Sequence, residues 1–275
     1  MKHRRYAAVL FALSALIMLP VGSSLAQHSG TSAHDLRIEQ DKSLSDAERA
    51  SMHAHLQACT ELGLADDQLD VLFPQHEPQY SAAARLRMQE RVIELAGEGL
   101  SVDLVCDKIG EGMMKHAPEP QIELAAQRMG EYVGAAHHYM ESAREDGVSG
   151  LGDPVAEQHL ERGLAMNMWR GLHHDELDDL RTRARERMQD GDCTLTDVAA
   201  AAETVTELKE IGVDGGLAMS LCGDALAEGY AAEHMRGMGH MAMYADMNGE
   251  SGTEFCERLH EQIQAHAGFE HMQGT

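Results

Sequence analysis

Aromatic and basic residues are scarce in this chain of 275 residues. Phe, Trp and Tyr together make up 4% of the sequence, and Trp169 is the single tryptophan. This composition offers neither a platform on which bases would stack nor an aromatic cleft for sugars. Lys and Arg number 22 against 46 Asp and Glu, which gives a formal net charge of −24 at pH 7. Because so acidic a surface repels phosphate groups, we expect no nucleic-acid partner.

Several signatures of catalytic and cofactor chemistry are missing from the sequence. No CxxC pair supports a thioredoxin-like redox role, and no CxxCH motif is present for covalent haem attachment. The chain also lacks the HExxH zinc motif, a phosphate-binding loop, the GxGxxG fingerprint and the GxSxG nucleophile elbow. Asp and Glu are too numerous for a catalytic carboxylate pair to be assigned. These observations favour a protein that is not an enzyme and has no resident cofactor.

Residues 1–26 have the pattern of a secretory signal peptide. A basic start at Lys2, Arg4 and Arg5 precedes an apolar run that is too short for a comfortable membrane span. Small residues at Ser24 and Ala26 occupy the two positions that a signal peptidase reads. We therefore expect a periplasmic or secreted location and no membrane span in the mature chain. That mature chain would keep 19 basic and 46 acidic residues, a net charge of −27.

The spacing of apolar residues beyond the leader predicts helices throughout. Residues 27–44 are small and polar, and they are predicted to form a flexible leader. The stretch from Ser45 to Glu48 has the capping-box pattern that opens a helix, and Asp153-Pro154 is a second strong start signal. No segment shows the sustained alternation of β-branched residues that is typical of a strand. The sequence predicts an all-α bundle of about ten helices.

Two stretches of the chain resemble each other. Residues 92–99 share four of eight positions with residues 205–212, and residues 104–112 resemble residues 221–229. The separation differs by four residues between the two blocks, so the repeat is imperfect. Each copy is interpreted as a helix, a glycine turn and a shorter helix that ends at Glu-Gly. Two diverged helical-hairpin halves are therefore predicted, residues 45–147 and residues 148–275.

The first copy has a spacing pattern that resembles uncharacterised secreted bacterial proteins. In that pattern a Gly-Leu turn opens a helix, Glu-Gly closes it, and a K-x-x-P step leads into the next helix. The resemblance implies helical hairpins and carries no catalytic residues with it. The matching residues are Gly99, Leu100, Leu104, Lys108, Glu111, Gly112, Lys115, Pro118 and Ile122.

Residues 234–247 are the sharpest candidate for a ligand site. They hold five Met and two His in fourteen residues. Thioether sulfur is a soft donor that suits Cu(I), and imidazole suits either oxidation state of copper. The segment resembles Met-rich segments of periplasmic copper-handling proteins, and this resemblance implies copper as a cofactor.

On a straight helix these donors fall on two stripes roughly 200° apart, so they form one site only if Gly237 and Gly239 break the helix. The alternative is that one stripe belongs to the core, because flexible Met side chains fill gaps between Ala-rich helices. The other stripe would then be a surface or a dimer face. The first stripe is His234, Met238 and Met241, and the second is His240, Met243 and Met247.

Five cysteines are candidates for disulfides in an oxidising compartment. Their number is odd, so at least one thiol is left free or pairs between chains. The sequence does not select among the pairings, and buried structural roles are favoured over a catalytic thiol. The candidates are Cys59, Cys106, Cys193, Cys222 and Cys256.

The leading functional hypothesis is a secreted or periplasmic, non-catalytic helical protein. It would be a structural or interaction module that binds an unknown protein partner or itself. The alternative is a soft-metal binding or buffering protein that uses residues 234–247 for copper, and an unrecognised hydrolase is the third hypothesis. Burial of both Met stripes would favour packing, whereas three clustered accessible donors would favour a metal.

Overall fold

Twelve α-helices make up the regular structure of residues 32–75, 80–145 and 152–265, the part of the chain that the computed structural model describes. These residues include no β-strand, so the all-α prediction is confirmed with two more helices than the ten expected. None of these helices has both the length and the apolarity that a membrane crossing requires. The predicted signal peptide, residues 1–26, lies outside the described residues.

The helices follow one another through short turns. In chain order they are α1 (Ala33–Gln40), α2 (Asp46–Glu61), α3 (Asp66–Leu72), α4 (Ala82–Gly97), α5 (Asp103–Met114), α6 (Glu119–Glu145), α7 (Pro154–Trp169), α8 (His174–Asp190), α9 (Leu195–Glu210), α10 (Gly215–Ala227), α11 (Ala232–Met247) and α12 (Gly252–Gln264).

Local side-chain signals set several of these helix ends. The Ser45 hydroxyl accepts a hydrogen bond from the Glu48 backbone N–H at 3.3 Å, and the Ser45 N–H donates to Glu48 Oε2 at 2.8 Å. This reciprocal capping box satisfies two backbone donors at the start of α2, as predicted. Asp153 Oδ1 accepts from the Val155 N–H at 3.1 Å, with Pro154 in the first turn of α7.

The prediction of a flexible leader over residues 27–44 is wrong for residues 33–40, which form α1. Ile38 of this helix is buried, and Arg49 of α2 donates a hydrogen bond to its backbone carbonyl. Arg37 of the same helix donates to Asp70 and to the Phe73 carbonyl, which lie 33 and 36 residues away. A local composition of small and polar residues does not show such contacts. Residues 27–31 lie outside the described residues.

The helices α4 to α6 recur as α9 to α11 at a nearly constant spacing, with α5 and α10 beginning 112 residues apart. Helices α4 and α9 both have 16 residues and begin at positions 82 and 195, which are 113 residues apart. Helices α6 and α11 begin at positions 119 and 232, again 113 residues apart. The turns recur with them, since Gly99 and Gly212 have φ of 80° and 86°, and His116 and Gly229 have φ of 53° and 86°.

The two preceding helices recur as well. Helices α2 and α7 both have 16 residues and begin at positions 46 and 154, and α3 and α8 begin at positions 66 and 174. Both pairs are therefore 108 residues apart, with a glycine of positive φ between the helices at Gly63 and Gly171. The spacing changes after this point, because α3 has 7 residues and α8 has 17.

Packing follows the same recurrence. Helix α2 packs on α4, α3 on α5 and α4 on α6, and the corresponding pairs α7 with α9, α8 with α10 and α9 with α11 also pack. Helix α6 packs on α7 and connects the two sets, which lie in one compact unit from Ala33 onward. One difference is that α5 packs on α6, whereas α10 packs on α12. The boundaries predicted for the halves, 45–147 and 148–275, stay a prediction.

The prediction that both copies end a helix at Glu-Gly is wrong for the first copy. Helix α5 continues through Glu111 and Gly112 to Met114, whereas α10 ends at Ala227 before its Glu-Gly pair. Gly112 serves packing instead, because a Cβ at this position would lie 2.7 Å from Cγ1 of the buried Ile122. The similar residues 104–112 and 221–229 therefore do not occupy equivalent positions in α5 and α10.

Candidate functional site

The predicted Met- and His-rich segment lies on α11, which runs without interruption from Ala232 to Met247. Gly237 and Gly239 do not break the helix, so the two stripes of donors remain on different sides of it. Gly239 is buried against α9, where an added Cβ would collide with Oε2 of Glu207. The glycine therefore permits a close approach of α9 and α11 rather than a bend.

The first stripe turns towards the core. Met238 is fully buried, and so is the neighbouring Met235, whose carbonyl accepts a hydrogen bond from Thr204 of α9 at 2.9 Å. Met241 is half-buried, and the ring of His234 packs edge-on against Tyr230 with centroids 5.9 Å apart. His234, Met238 and Met241 therefore do not form a set of three accessible donors, and Met238 acts as a core side chain.

The second stripe is accessible. His240 is exposed, Met243 is half-buried, and Met247 is 84% exposed. Tyr244 lies between them in the sequence and is 70% exposed. All four side chains fall within about 100° on the helix, because they are spaced by three, four and seven residues. We call His240, Met243, Tyr244 and Met247 the exposed α11 face.

A partly buried carboxylate lies beside this face. Oε2 of Glu207 is buried and has no hydrogen-bond partner among the described residues. Burial raises the pKa of Glu207, the charge of Glu203 raises it further, and His240 and Arg170 act in the opposite direction. No group of three or more His, Cys, Asp and Glu side chains in the described ranges is arranged to hold a metal ion. That statement does not cover methionine, whose thioether sulfur is a separate type of metal ligand.

All five cysteines are buried, unbridged thiols in the described structure. Burial raises the pKa of Cys59, Cys193 and Cys256 to about 11 in each case. Burial, with smaller contributions from Asp103 and Cys59, raises the pKa of Cys106 to about 12. The pKa of Cys222 is also raised by burial, with a contribution from Cys256. Because the thiolate is the reactive form, these side chains are poorly suited to nucleophilic chemistry.

We expect a thiol reagent such as Ellman's reagent to find almost no reactive thiol in the native protein. After unfolding in guanidinium chloride without reductant, all five should react, because the native structure holds them as thiols. A lower count after unfolding would contradict this and would indicate disulfides. Peptide mapping would then identify the cysteines that are paired.

A cavity that the sequence did not predict lies between α1, α2, the end of α3 and α4. Its volume is about 210 Å³. Arg85 and Asp41 line it as an ion pair, with Nη1 and Oδ2 2.8 Å apart and side chains that are 6% and 8% exposed. Ser43 donates to Asp41 Oδ1 from its backbone N–H at 2.9 Å and from its hydroxyl at 2.5 Å.

No signal in the sequence would have identified this pair. Asp41 and Arg85 are far apart in the chain and belong to no recognisable motif. Charged residues are ordinarily exposed, so their burial together is a consequence of how α1 packs on α2 and how α2 packs on α4.

The fold defines an all-α protein with a recurring set of five helices. No protein-family model, curated protein or solved structure matches the chain. Function is therefore inferred from the side chains of the two sites, because a fold alone does not specify an activity.

Proposed function

We propose that the protein is a non-catalytic, extracytoplasmic interaction module that binds a protein partner through the exposed α11 face. The observation that carries this proposal is the exposure of Tyr244 and Met247, 70% and 84%, one helical turn apart. Among the strongly exposed large apolar side chains of the described residues, these two alone share a helix. Adjacent exposed apolar groups are typical of contact surfaces, and Tyr and Met are both enriched there.

Charge favours a basic partner over a second copy of the chain. The protein has a formal net charge of −24, so two copies would repel each other at low ionic strength. A partner with basic residues around an apolar patch would be attracted to the same surface. Met243 and Met247 are flexible side chains that adapt to such a patch.

A second candidate function rests on the same face. His240, Met243 and Met247 present one imidazole and two thioethers on a single accessible side of α11. Soft sulfur and nitrogen donors in this combination suit Cu(I). Copper binding or buffering is therefore the alternative proposal, and it uses the second stripe rather than the buried Met238.

Photo-crosslinking from position 244 in the full chain tests the interaction proposal. With a crosslinking residue there, we expect one predominant partner in the native extracytoplasmic fraction, identified by mass spectrometry as a basic protein, with a yield that falls as salt rises. The substitution Met247→Ser should lower this yield at least fivefold, whereas Met114→Ser, at an equally exposed apolar residue on α5, should not. Equal yields in the two variants, or diffuse crosslinking to acidic and basic proteins alike, would overturn the proposal.

Leucine substitutions separate the two candidate functions. The triple variant His240→Leu, Met243→Leu and Met247→Leu keeps the apolar character of the face and removes its soft donors. If the face binds a protein, crosslinking should survive these changes. If it binds copper, Cu(I) titration against a competing chelator should show tight binding that the triple variant loses and that Met238→Leu, in the core, retains.

A further inference from the structure

The methionines of the described residues divide sharply into buried and exposed side chains. Most of them belong to the core, and Met235 and Met238 of α11 are fully buried. Among the described methionines, only Met114 and Met247 are strongly exposed, at 78% and 84%. An oxidant reacts with a thioether through the sulfur lone pair, so solvent access to the sulfur controls the rate. Met114 and Met247 are therefore the thioethers that a dissolved oxidant reaches first.

The cysteines do not compete for such an oxidant. All five are buried thiols, and burial raises the pKa of Cys59, Cys193 and Cys256 to about 11. Peroxides react with the thiolate form of cysteine, which a buried thiol of raised pKa does not supply at neutral pH. The accessible sulfur of the described residues is thus thioether rather than thiol.

The surroundings of Met247 distinguish it from Met114. Tyr244 and Met243 precede Met247 by three and four residues, so the three side chains are neighbours on the exposed α11 face. Met114, in contrast, is the one strongly exposed large apolar residue of α5. The same chemical change therefore alters an apolar patch at Met247 and an isolated side chain at Met114.

We propose that Met247 is a reversible oxidation site, with hydrogen peroxide as the oxidant, and that its oxidation prevents partner binding by the exposed α11 face. Loss of binding presupposes the proposed function of this face, whereas the oxidation itself does not. Sδ of Met247 attacks one peroxide oxygen, the O–O bond breaks as the S–O bond forms, and the other oxygen leaves as water after proton transfer. The sulfur is oxidised to the sulfoxide and the peroxide is reduced. A methionine sulfoxide reductase with a dithiol reverses the change, releasing the oxygen as water and leaving the dithiol as a disulfide.

Oxidation at Met247 changes the face without disturbing the core. A sulfoxide oxygen is a hydrogen-bond acceptor, and burying it against an apolar partner surface without a donor is unfavourable. Because the Met247 side chain is 84% exposed at the last residue of α11, its sulfoxide remains in solvent in the unbound protein. Oxidation of the buried Met238 would instead place that oxygen in the core. Met247 thus combines ready reaction with a product that stays folded, and reversible control requires both.

Peptide mapping by mass spectrometry, after brief treatment of the folded mature chain with hydrogen peroxide, tests the oxidation site. We expect Met247 and Met114 to be converted at least tenfold faster than Met235 and Met238. In guanidinium chloride the four rates should become similar, because unfolding removes the protection that burial gives. Oxidation of Met247 no faster than that of Met238 in the folded protein would overturn the proposal.

Photo-crosslinking from position 244 tests the consequence for binding. After oxidation of Met247 the crosslinking yield should fall at least fivefold, and treatment with methionine sulfoxide reductases should restore it. The double variant Met243→Leu with Met247→Leu keeps an apolar face that peroxide does not oxidise, so its yield should survive the same treatment. Met114→Leu is the matched control and should lose yield as the wild type does. An equal loss in the double variant would assign the effect to oxidation elsewhere and contradict the proposal.

The two measurements distinguish failure of this inference from failure of the proposed function. Rapid oxidation of Met247 with an undiminished crosslinking yield would overturn the control of binding and leave the contact surface in place. Absence of any crosslink before oxidation would contradict the proposed function and the control of binding together, whereas the peptide map would still decide whether Met247 is the oxidation site.

Discussion

Replacing Arg85 with Met is expected to lower the free energy of unfolding by about 3–5 kcal/mol. The side chains of Arg85 and Asp41 are 6% and 8% exposed and form an ion pair with atoms 2.8 Å apart. Removal of the guanidinium leaves the Asp41 carboxylate buried and without its compensating charge, which costs more than the pair itself contributes. Urea unfolding at pH 7, followed by circular dichroism, measures the change.

Two control variants test whether burial of the Arg85–Asp41 pair causes this loss of stability. Arg87→Met breaks an ion pair with Glu123 whose side chains are 53% and 30% exposed, and it should cost no more than about 1 kcal/mol. The double variant Asp41→Leu with Arg85→Met should recover most of the loss, because an apolar pair can replace a buried ion pair at little cost. A cost below about 1 kcal/mol for Arg85→Met alone would show that water solvates the Asp41 carboxylate in the folded protein.

The same pair makes stability depend on pH in a defined direction. Burial by itself would raise the pKa of Asp41, but hydrogen bonds from Ser43 and the ion pair with Arg85 outweigh it, and the pKa is lowered from its usual value near 3.8. A carboxylate with a lowered pKa in the folded state contributes stability above its unfolded pKa and loses it as the pH falls through the folded value. The difference between the wild type and Asp41→Asn should therefore shrink on acidification below pH 4.

Replacing Tyr139 with Ala is expected to cost about 3–5 kcal/mol, whereas Tyr139→Phe should be neutral or stabilising. Tyr139 lies on α6, is 2% exposed, and has the guanidinium of Arg181 on α8 5.4 Å from its ring centroid. Truncation to Ala removes the whole ring and leaves a cavity between helices of the two recurring sets. Thermal and urea unfolding of both variants measure the two effects.

The hydroxyl group of Tyr139 is the reason that Tyr139→Phe should not lower the stability. It is buried and has no hydrogen-bond partner in the described residues, and burial raises the pKa of Tyr139. Phe keeps the ring and its contact with Arg181 while it removes a desolvated polar group. A loss above about 1.5 kcal/mol in Tyr139→Phe would mean that the hydroxyl is hydrogen-bonded in solution, for example to an internal water.

The helices themselves could be predicted from the sequence, because short-range interactions set them. Ser45 and Asp153 are hydrogen-bonded to backbone groups two or three residues away, and the glycines at positions 99 and 212 end α4 and α9. The absence of strand patterns likewise predicts the all-α class, which depends on periodicity within each segment. Copper binding and protein interaction, in contrast, remain hypotheses. Both proposals now use the exposed α11 face.

Tertiary contacts decided what local patterns could not. Both stripes of α11 have similar residues, and the packing of α11 on α9 and α12 determines that Met238 is buried while Met247 is exposed. The contact of Arg37 on α1 with Asp70 on α3 and the burial of the Asp41–Arg85 pair likewise depend on residues that are distant in sequence. The physical reason is that caps and periodicity act within one or two helical turns, whereas burial of a given side chain depends on which helix covers it.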